Sequence, residues 1–477
     1  LALALLALLG IGATPQALIL PLGLPDLPFH LRLDALSAFF LCLLGIASTG
    51  ISIYAAGYFR HSEGALPGRQ CMLSHVFLAS MAFVLLADDG YAFMVAWESM
   101  ALSSFLLVTS EHQHSEIRRA GYLYLLIAHI GALAILLSFG IMAGSAGDYT
   151  FDAMRDFYHD GIWPTVAFLL ALFGFGAKAG LLPLHIWLPH AHPAAPSHVS
   201  ALMSGVMLKT AIYGIIRISL DLLDDNLWWW GVLLLVIGLI TAIFGVIYAA
   251  IQSDMKRLLA YSSIENIGVI FVGLGLALTF KSFMLPHLSA LAMTAMLYHC
   301  LNHACFKSLL FLSTGSVLHA TGERNLGKLG GLIHRMPWVA WLALVGVLAS
   351  AGLPPLNGFI SEWLLLQSFL FTSSLPHGYL NMLLPAFAAA VALVAALAGF
   401  AMVKFFGVIF LGQPREEKLA NAHDADPLER TGLCWLAACC VLLGLFPNLV
   451  ISTLDPVTRM LVGSGLKSAA ATHGWWL

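Results

Sequence analysis

Apolar residues run along this chain in long unbroken stretches, not in the period-two alternation of a half-buried strand. Most stretches last roughly 20 to 30 residues, enough for a helix to cross a hydrocarbon core of about 30 Å. Read this way, the chain holds about 13 crossings, over residues 1–22, 34–56, 72–87, 91–110, 120–142, 164–191, 197–220, 228–251, 258–279, 284–318, 337–372, 381–411 and 432–452. In lipid every backbone polar group must bond internally, so such stretches predict helices. A transmembrane barrel would show alternation in segments of about ten residues. The predicted fold class is an all-α polytopic membrane protein. Its N-terminal helices occupy 1–71, a first five-helix group 72–220, a second 228–411, and a C-terminal loop and last crossing 412–477.

Three spans are too long for one straight helix: 164–191, 284–318 and 337–372. Two carry breakers at depth. One reads Gly180-Leu181-Leu182-Pro183, followed by Pro189, Pro193 and Pro196; the other reads Gly352-Leu353-Pro354-Pro355-Leu356-Asn357-Gly358. Proline removes a donor and ends a helix, and broken helices in a bilayer often line the transport site. The breaks fall five crossings apart, so the second span runs opposite to the first, and each is the fourth of five when counted from 72–87 and from 228–251. That arrangement predicts an inverted five-helix repeat.

Composition agrees with the membrane reading. Of 477 residues, 60% are hydrophobic and 10% charged, against about 25% charged in soluble domains. A net charge of −3 gives no reason to expect nucleic acid. The loops alternate in sign. Arg60 and Arg69, Arg118 and Arg119, Lys256 and Arg257, Arg324, Lys328 and Arg335, and Arg415, Lys418 and Arg430 form a basic set. The other set holds Asp88 and Asp89, Asp148, Asp152, Asp156 and Asp160, and Asp221, Asp224 and Asp225. Basic loops are expected to face the cytoplasm, here of a bacterial or archaeal inner membrane. Cys42, Cys71, Cys300, Cys305, Cys434, Cys439 and Cys440 lie in or beside apolar stretches with no Cys-x-x-Cys pair, so they read as small buried hydrophobes. No metal or cofactor ligand set is evident. The chain begins at Leu1, inside an apolar run, and is expected to lack its true start.

Ionisable residues deep in lipid cost about 2.5–3.5 kcal/mol on insertion scales, so each needs a reason. Glu98, Lys178, Lys209 and Glu362 are central in their spans, where snorkelling is hard; a structural ion pair is the alternative to function. His299, His303 and Lys307 are spaced i, i+4, i+8, on one helix face, and suggest a hydrated relay. Glu265, Lys404 and His185 are further candidates. Glu265 could instead bond to Asn266 or a neighbouring helix, and Lys404 reads as a snorkelling lysine. His190 and His192 have metal-like spacing without a third ligand, and read as a structured turn or a region where protons come in.

These residues sit in recognisable wording. Trp97-Glu98, Lys178 with LPLHIWLPHAHPAAPSHVSALMSGVMLKTAIYG (182–214), SDMKRLLAYSSIENIG (253–268), HCLNHACFKSLLFLSTGSV (299–317), LGKLGGL (326–332) and GLPPLNGFISEW (352–363) follow in order along the chain. In them the chain resembles the antiporter-like subunits shared by respiratory complex I, Mrp-type sodium/proton antiporters and membrane-bound hydrogenases. HPAAPSHVSALMSGVMLK and YSSIENIG look most like the branch of hydrogenase-4 component B and the formate hydrogenlyase membrane subunit. The resemblance implies a charge-modulating role for Glu98, the broken-helix lysine for Lys178 and a bridging lysine for Lys209. It also implies a central relay of His299, His303 and Lys307, and a terminal acid at Glu362, where some members carry lysine. It implies a non-catalytic proton-translocating subunit, with sodium as the other ion. Nickel–iron and iron–sulfur centres would lie in peripheral hydrogenase and electron-transfer partners, alongside other membrane subunits. A complex I or sodium/proton antiporter subunit is one alternative, a passive hydrogenase anchor another. The family's first helix and its C-terminal lateral helix are expected to be absent here.

Overall fold

The computed structural model describes residues 1–59, 67–156, 161–223, 227–370 and 375–466. Arg60, Asp160, Asp224 and Asp225 lie outside the described residues. Ten helices are long and apolar enough to cross a membrane. They include α2 (Ala35–Tyr58), α3 (Pro67–Leu86), α4 (Gly90–Val108), α5 (Ser115–Ala143), α11 (Trp228–Ile251), α12 (Met255–Ser282), α16 (Gly378–Phe410) and α17 (Pro427–Leu445). The mostly helical membrane architecture expected from the apolar stretches is present.

The first expected crossing is corrected. Residues 1–22 form a short helix, α1 (Ala2–Gly10), and then the first strand of a hairpin, β1 (Gln16–Leu24) with β2 (Leu27–Leu33). Nine residues rise only about 13 Å, too little to span. Gly10 and Gly12 weaken the helix, and Pro15, Pro21, Pro25 and Pro28 forbid its continuation. β1 and β2 pair antiparallel from Gln16 with Leu33 to Leu24 with Leu27, with an irregularity between Leu20 and Gly23. Counting apolar residues alone missed these breakers. The final expected span, 432–452, is also shorter: α17 stops at Leu445, and Pro447 opens α18 (Pro447–Val462).

The long spans divide as their breakers dictate. α7 (Trp163–Ala179) closes on Gly180, whose φ of +84° suits glycine. α8 (Leu188–Ala194) resumes after a tight turn at Leu184–Trp187. α9 (Ser197–Leu202) continues through a π-helical turn at Met203–Met207 into α10 (Leu208–Arg217). The second break separates α14 (Pro337–Ser350) from α15 (Asn357–Leu370) around Gly352, φ +63°. By contrast α13 (Pro286–Thr321) runs 36 residues without interruption.

Two features fix this frame. At the acidic-loop end, Arg217 clamps Asp34, the N-cap of α2, at 2.7 and 2.9 Å, and reaches Asp221 at 2.9 Å. Arg155, from α6 (Phe151–Asp156), bonds Asp221 as well and lies 3.6 Å from Asp88. Burial raises the Asp34 carboxyl, but the Arg217 charge and hydrogen bonds more than offset it, holding the group well below the usual carboxylate range. In the second feature, Gly231, Gly238 and Gly245 of α11 recur every seven residues and meet the α12 main chain at Gly275, Gly268 and Glu265 in turn. A methyl on Gly238 would stand 2.8 Å from the Gly268 carbonyl oxygen, so the two backbones touch.

Candidate functional site

Lys178 lies two residues before the first break and is 3% exposed. Its Nζ donates to the Tyr124 hydroxyl at 2.7 Å, over the Tyr124 ring at 4.9 Å and near the Trp97 ring at 5.9 Å. Tyr124 in turn bonds Ser104 at 2.6 Å. Glu98 takes a different partner: His129 Nδ1 of α5, at 2.9 Å. Their side chains are 31% and 45% exposed, so this pair opens on the outer face of α4 and α5 while Lys178 is sealed inside. The structure therefore keeps Glu98 and Lys178 on separate partners.

The central elements converge on α13. Lys209 of α10 hydrogen-bonds His303 Nδ1 and also donates to the Ser204 carbonyl at 2.7 Å. One turn on, Lys307 donates to Ser262 Oγ at 2.5 Å, and Ser262 donates to Glu265 at 2.9 Å. One turn back, His299 bridges Asn266 Oδ1 and Ser361 Oγ, each at 3.0 Å. Asn302 also donates to Ser361, at 2.9 Å. Glu362, next to Ser361, is half-buried, and its carboxyl lies against Gly352 of the second break. Lys209, His299, His303, Lys307 and Glu265 are each at most 3% exposed.

This geometry has a chemical reading. An ammonium at Lys209 can only donate, so His303 Nδ1 accepts and the ring proton sits on Nε2. That Nε2 is buried without a hydrogen-bond partner. The α13 side chains are thus joined to α10, α12 and α15 by short donor–acceptor links, which is what proton hopping requires. Between the Tyr124 end and Lys209 stands Met207, whose sulfur lies 3.7 Å from the Tyr124 hydroxyl.

The remaining candidates sit apart. Lys404 donates to the carbonyls of Ala250 and Gln252 at 2.8 and 2.7 Å, satisfying the last turn of α11. His185 packs its ring on Phe244 at 4.9 Å, and its Nδ1 is buried without a partner. His190 is exposed, His192 fully buried. Among the described residues, no three or more His, Cys, Asp and Glu gather as a metal site. His129, Tyr124, Ser262 and Ser361 were not singled out from sequence. The mid-span position of His129 was a usable signal; a tyrosine or serine in a membrane helix carries none until its contacts are seen.

Comparison with known proteins places this architecture. Residues 87–391 match the family described as NADH:quinone oxidoreductase/Mrp antiporter, TM. Hydrogenase-4 component B of Escherichia coli (strain K12) is 41% identical over 417 residues, 87% of this chain and 62% of the relative. Formate hydrogenlyase subunit 3 of the same organism is 36% identical, over 87% of this chain and 67% of the relative. The chain thus spans about two thirds of the length of these relatives. Among solved structures, the Mrp complex from Dietzia sp. DQ12-45-1b contains a chain with a TM-score of 0.82 at 22% identity, covering 97% of this chain and 90% of that one. Respiratory complex I from Thermus thermophilus gives 0.79 at 23% identity, covering 96% and 92%.

Proposed function

Since this chain belongs to the NADH:quinone oxidoreductase/Mrp antiporter transmembrane family, we propose that it is the proton-translocating subunit of a hydrogenase-4 or formate hydrogenlyase-type complex. The observation that carries the reading is the buried row His299, His303 and Lys307 on α13 with its separate links, Lys209 to His303, Lys307 through Ser262 to Glu265, and His299 to Ser361 beside Glu362. A passive anchor has no use for so many ionisable groups in lipid.

Electron transfer would take place in peripheral partner subunits, which would hold the nickel–iron and iron–sulfur centres. Its own residues hold and move protons. A change at the membrane face would alter the Glu98–His129 pair. Lys178, held by Tyr124, would respond to the altered field without touching Glu98. Lys209 and His303 then exchange a proton along their shared hydrogen bond, Lys307 and Glu265 exchange one through Ser262, and Glu362 releases it near the second break. The two breaks act as matching elements of an inverted repeat, the basic loops face the cytoplasm of an inner membrane, and sodium is the competing ion.

Reconstituted vesicles carrying the whole complex test this reading. Lys178→Ala is expected to keep electron transfer and lose redox-driven proton movement. Normal pumping by that variant would overturn the proposal.

A further inference from the structure

A second group of ionisable side chains lies at the basic-loop end, outside the central line. Glu429, in the first turn of α17, is a carboxylate only 2% exposed. Its Oε2 accepts from Ser316 Oγ at 3.0 Å, and its Oε1 lies 3.8 Å from His319 Nδ1. The His319 side chain is 25% exposed, and the exposed His423 meets it edge-on with ring centroids 5.9 Å apart. This pair therefore lies at the surface beside the segment that joins α16 to α17.

Inward, His319 faces the Tyr58 ring at 5.3 Å, and Tyr58 faces His198 at 6.0 Å. His198 and His192 are 2% and 0% exposed, and all four of their ring nitrogens are buried without a hydrogen-bond partner. A neutral imidazole offers one donor and one acceptor, so these two rings have hydrogen-bonding capacity that the protein leaves unmet and that water would satisfy. Between them the Lys256 ammonium donates to the Ala195 carbonyl at 2.8 Å; Ala195 stands three residues from each histidine.

Serine hydroxyls of α9 and of the π-helical turn after it lie along the chain between this group and Lys209. Ser200 Oγ donates to the His192 carbonyl at 2.9 Å. Ser204 is one turn further on the same face, pairs with Ser263 at 2.8 Å, and its carbonyl takes the Lys209 ammonium. We propose that Glu429, His319, His198 and His192 form a proton-uptake relay that loads Lys209 from the basic-loop side. The relay moves protons alone. A proton bound at the Glu429–His319 pair passes to one ring nitrogen of His198, the other releases one toward His192, and a neutral Lys209 amine is the final acceptor. The inference rests on the reading of Lys209 as a proton carrier.

The test uses the assembled complex in oriented membrane vesicles, with proton uptake followed by a pH-sensitive dye during turnover. Glu429→Gln and His198→Phe are expected to lower uptake at least about tenfold, and imidazole added to the medium to restore part of it, as it would not for a packing fault. Full uptake in both variants, with Lys209→Ala inactive, overturns the relay and leaves the proposed function standing. Full uptake in Lys209→Ala overturns both. Subunit content of the membranes is measured in parallel. If Glu429→Gln does not assemble, His192→Asn takes its place beside His198→Phe, because its amide stays polar but does not titrate, and full uptake in both overturns the relay.

Discussion

Substituting His299 separates two jobs that one ring performs. As a strut, it links α12 to α15 through Asn266 and Ser361 at 3.0 Å each. As a carrier, it would take and release a proton. The cost of losing the strut can be worked from its contacts. Interhelical hydrogen bonds in membrane proteins average about 0.6 kcal/mol and reach about 1.7. His299→Leu removes two, but Ser361 keeps Asn302 at 2.9 Å and the Gly358 carbonyl at 3.1 Å, so the orphaned group is chiefly Asn266 Oδ1. A loss of about 1–3 kcal/mol follows. His299→Gln retains a donor and an acceptor and should lose under about 1 kcal/mol. Neither amide nor alkyl can relay a proton, a role worth about 10²- to 10⁴-fold in rate where a group acts as acid and base. The assay pairs thermal unfolding in detergent with protons moved per electron in vesicles. The expected result is a stable but uncoupled glutamine variant. Wild-type coupling in His299→Gln would refute a proton-carrying role and leave the ring as a strut.

Three further outcomes are expected. Tyr124→Phe should fold, lose the hydrogen bond to Lys178 at a cost of about 1–3 kcal/mol, and pump less, which vesicle assays will show; unchanged pumping would detach Tyr124 from the mechanism. Asp34→Asn should destabilise by about 3–5 kcal/mol, because Arg217 loses its buried carboxylate. The depressed native pKa of Asp34 means that its contribution is full above about pH 4 and fades as pH falls below that; acid unfolding curves should show a flatter acid limb for the variant. Gly238→Leu should force α11 from α12 and cut the amount of folded chain in membranes, as fluorescence-detected gel filtration would report, whereas an unaltered profile would mean that the helices do not rely on close approach.

Much of this was legible in the residues. Long apolar runs, Gly180-Leu181-Leu182-Pro183 and Gly352-Leu353-Pro354-Pro355 located helices and breaks, because lipid leaves the backbone few choices. The i, i+4, i+8 spacing of His299, His303 and Lys307 put them on one face, and their links to α10, α12 and α15 follow from that face being inward. Residues 1–22 are long enough in apolar length to suggest a crossing, but their proline spacing sets a short helix and a hairpin instead. The partners of Glu98 and Lys178 were illegible for another reason: which of several nearby groups a charge meets depends on helix rotation, and no periodicity encodes that. Glu429 escaped notice because it stands among the charges of a loop-end segment, and only its packing against Ser316 reveals that it is buried.

The glycine seam between α11 and α12 bears on mechanics. Two rods whose main chains touch along their length behave as one beam, far stiffer in bending and torsion than two rods with side chains between them. That beam carries Ser262, Glu265 and Asn266, the fixed counter-electrodes facing Lys307 and His299. Under the proposed function, movement during coupling would fall to the pieces opposite, α14 and α15 with Gly352 at their joint. A staple across α11 and α12 should pass unnoticed, and one across α14 and α15 should jam the machine.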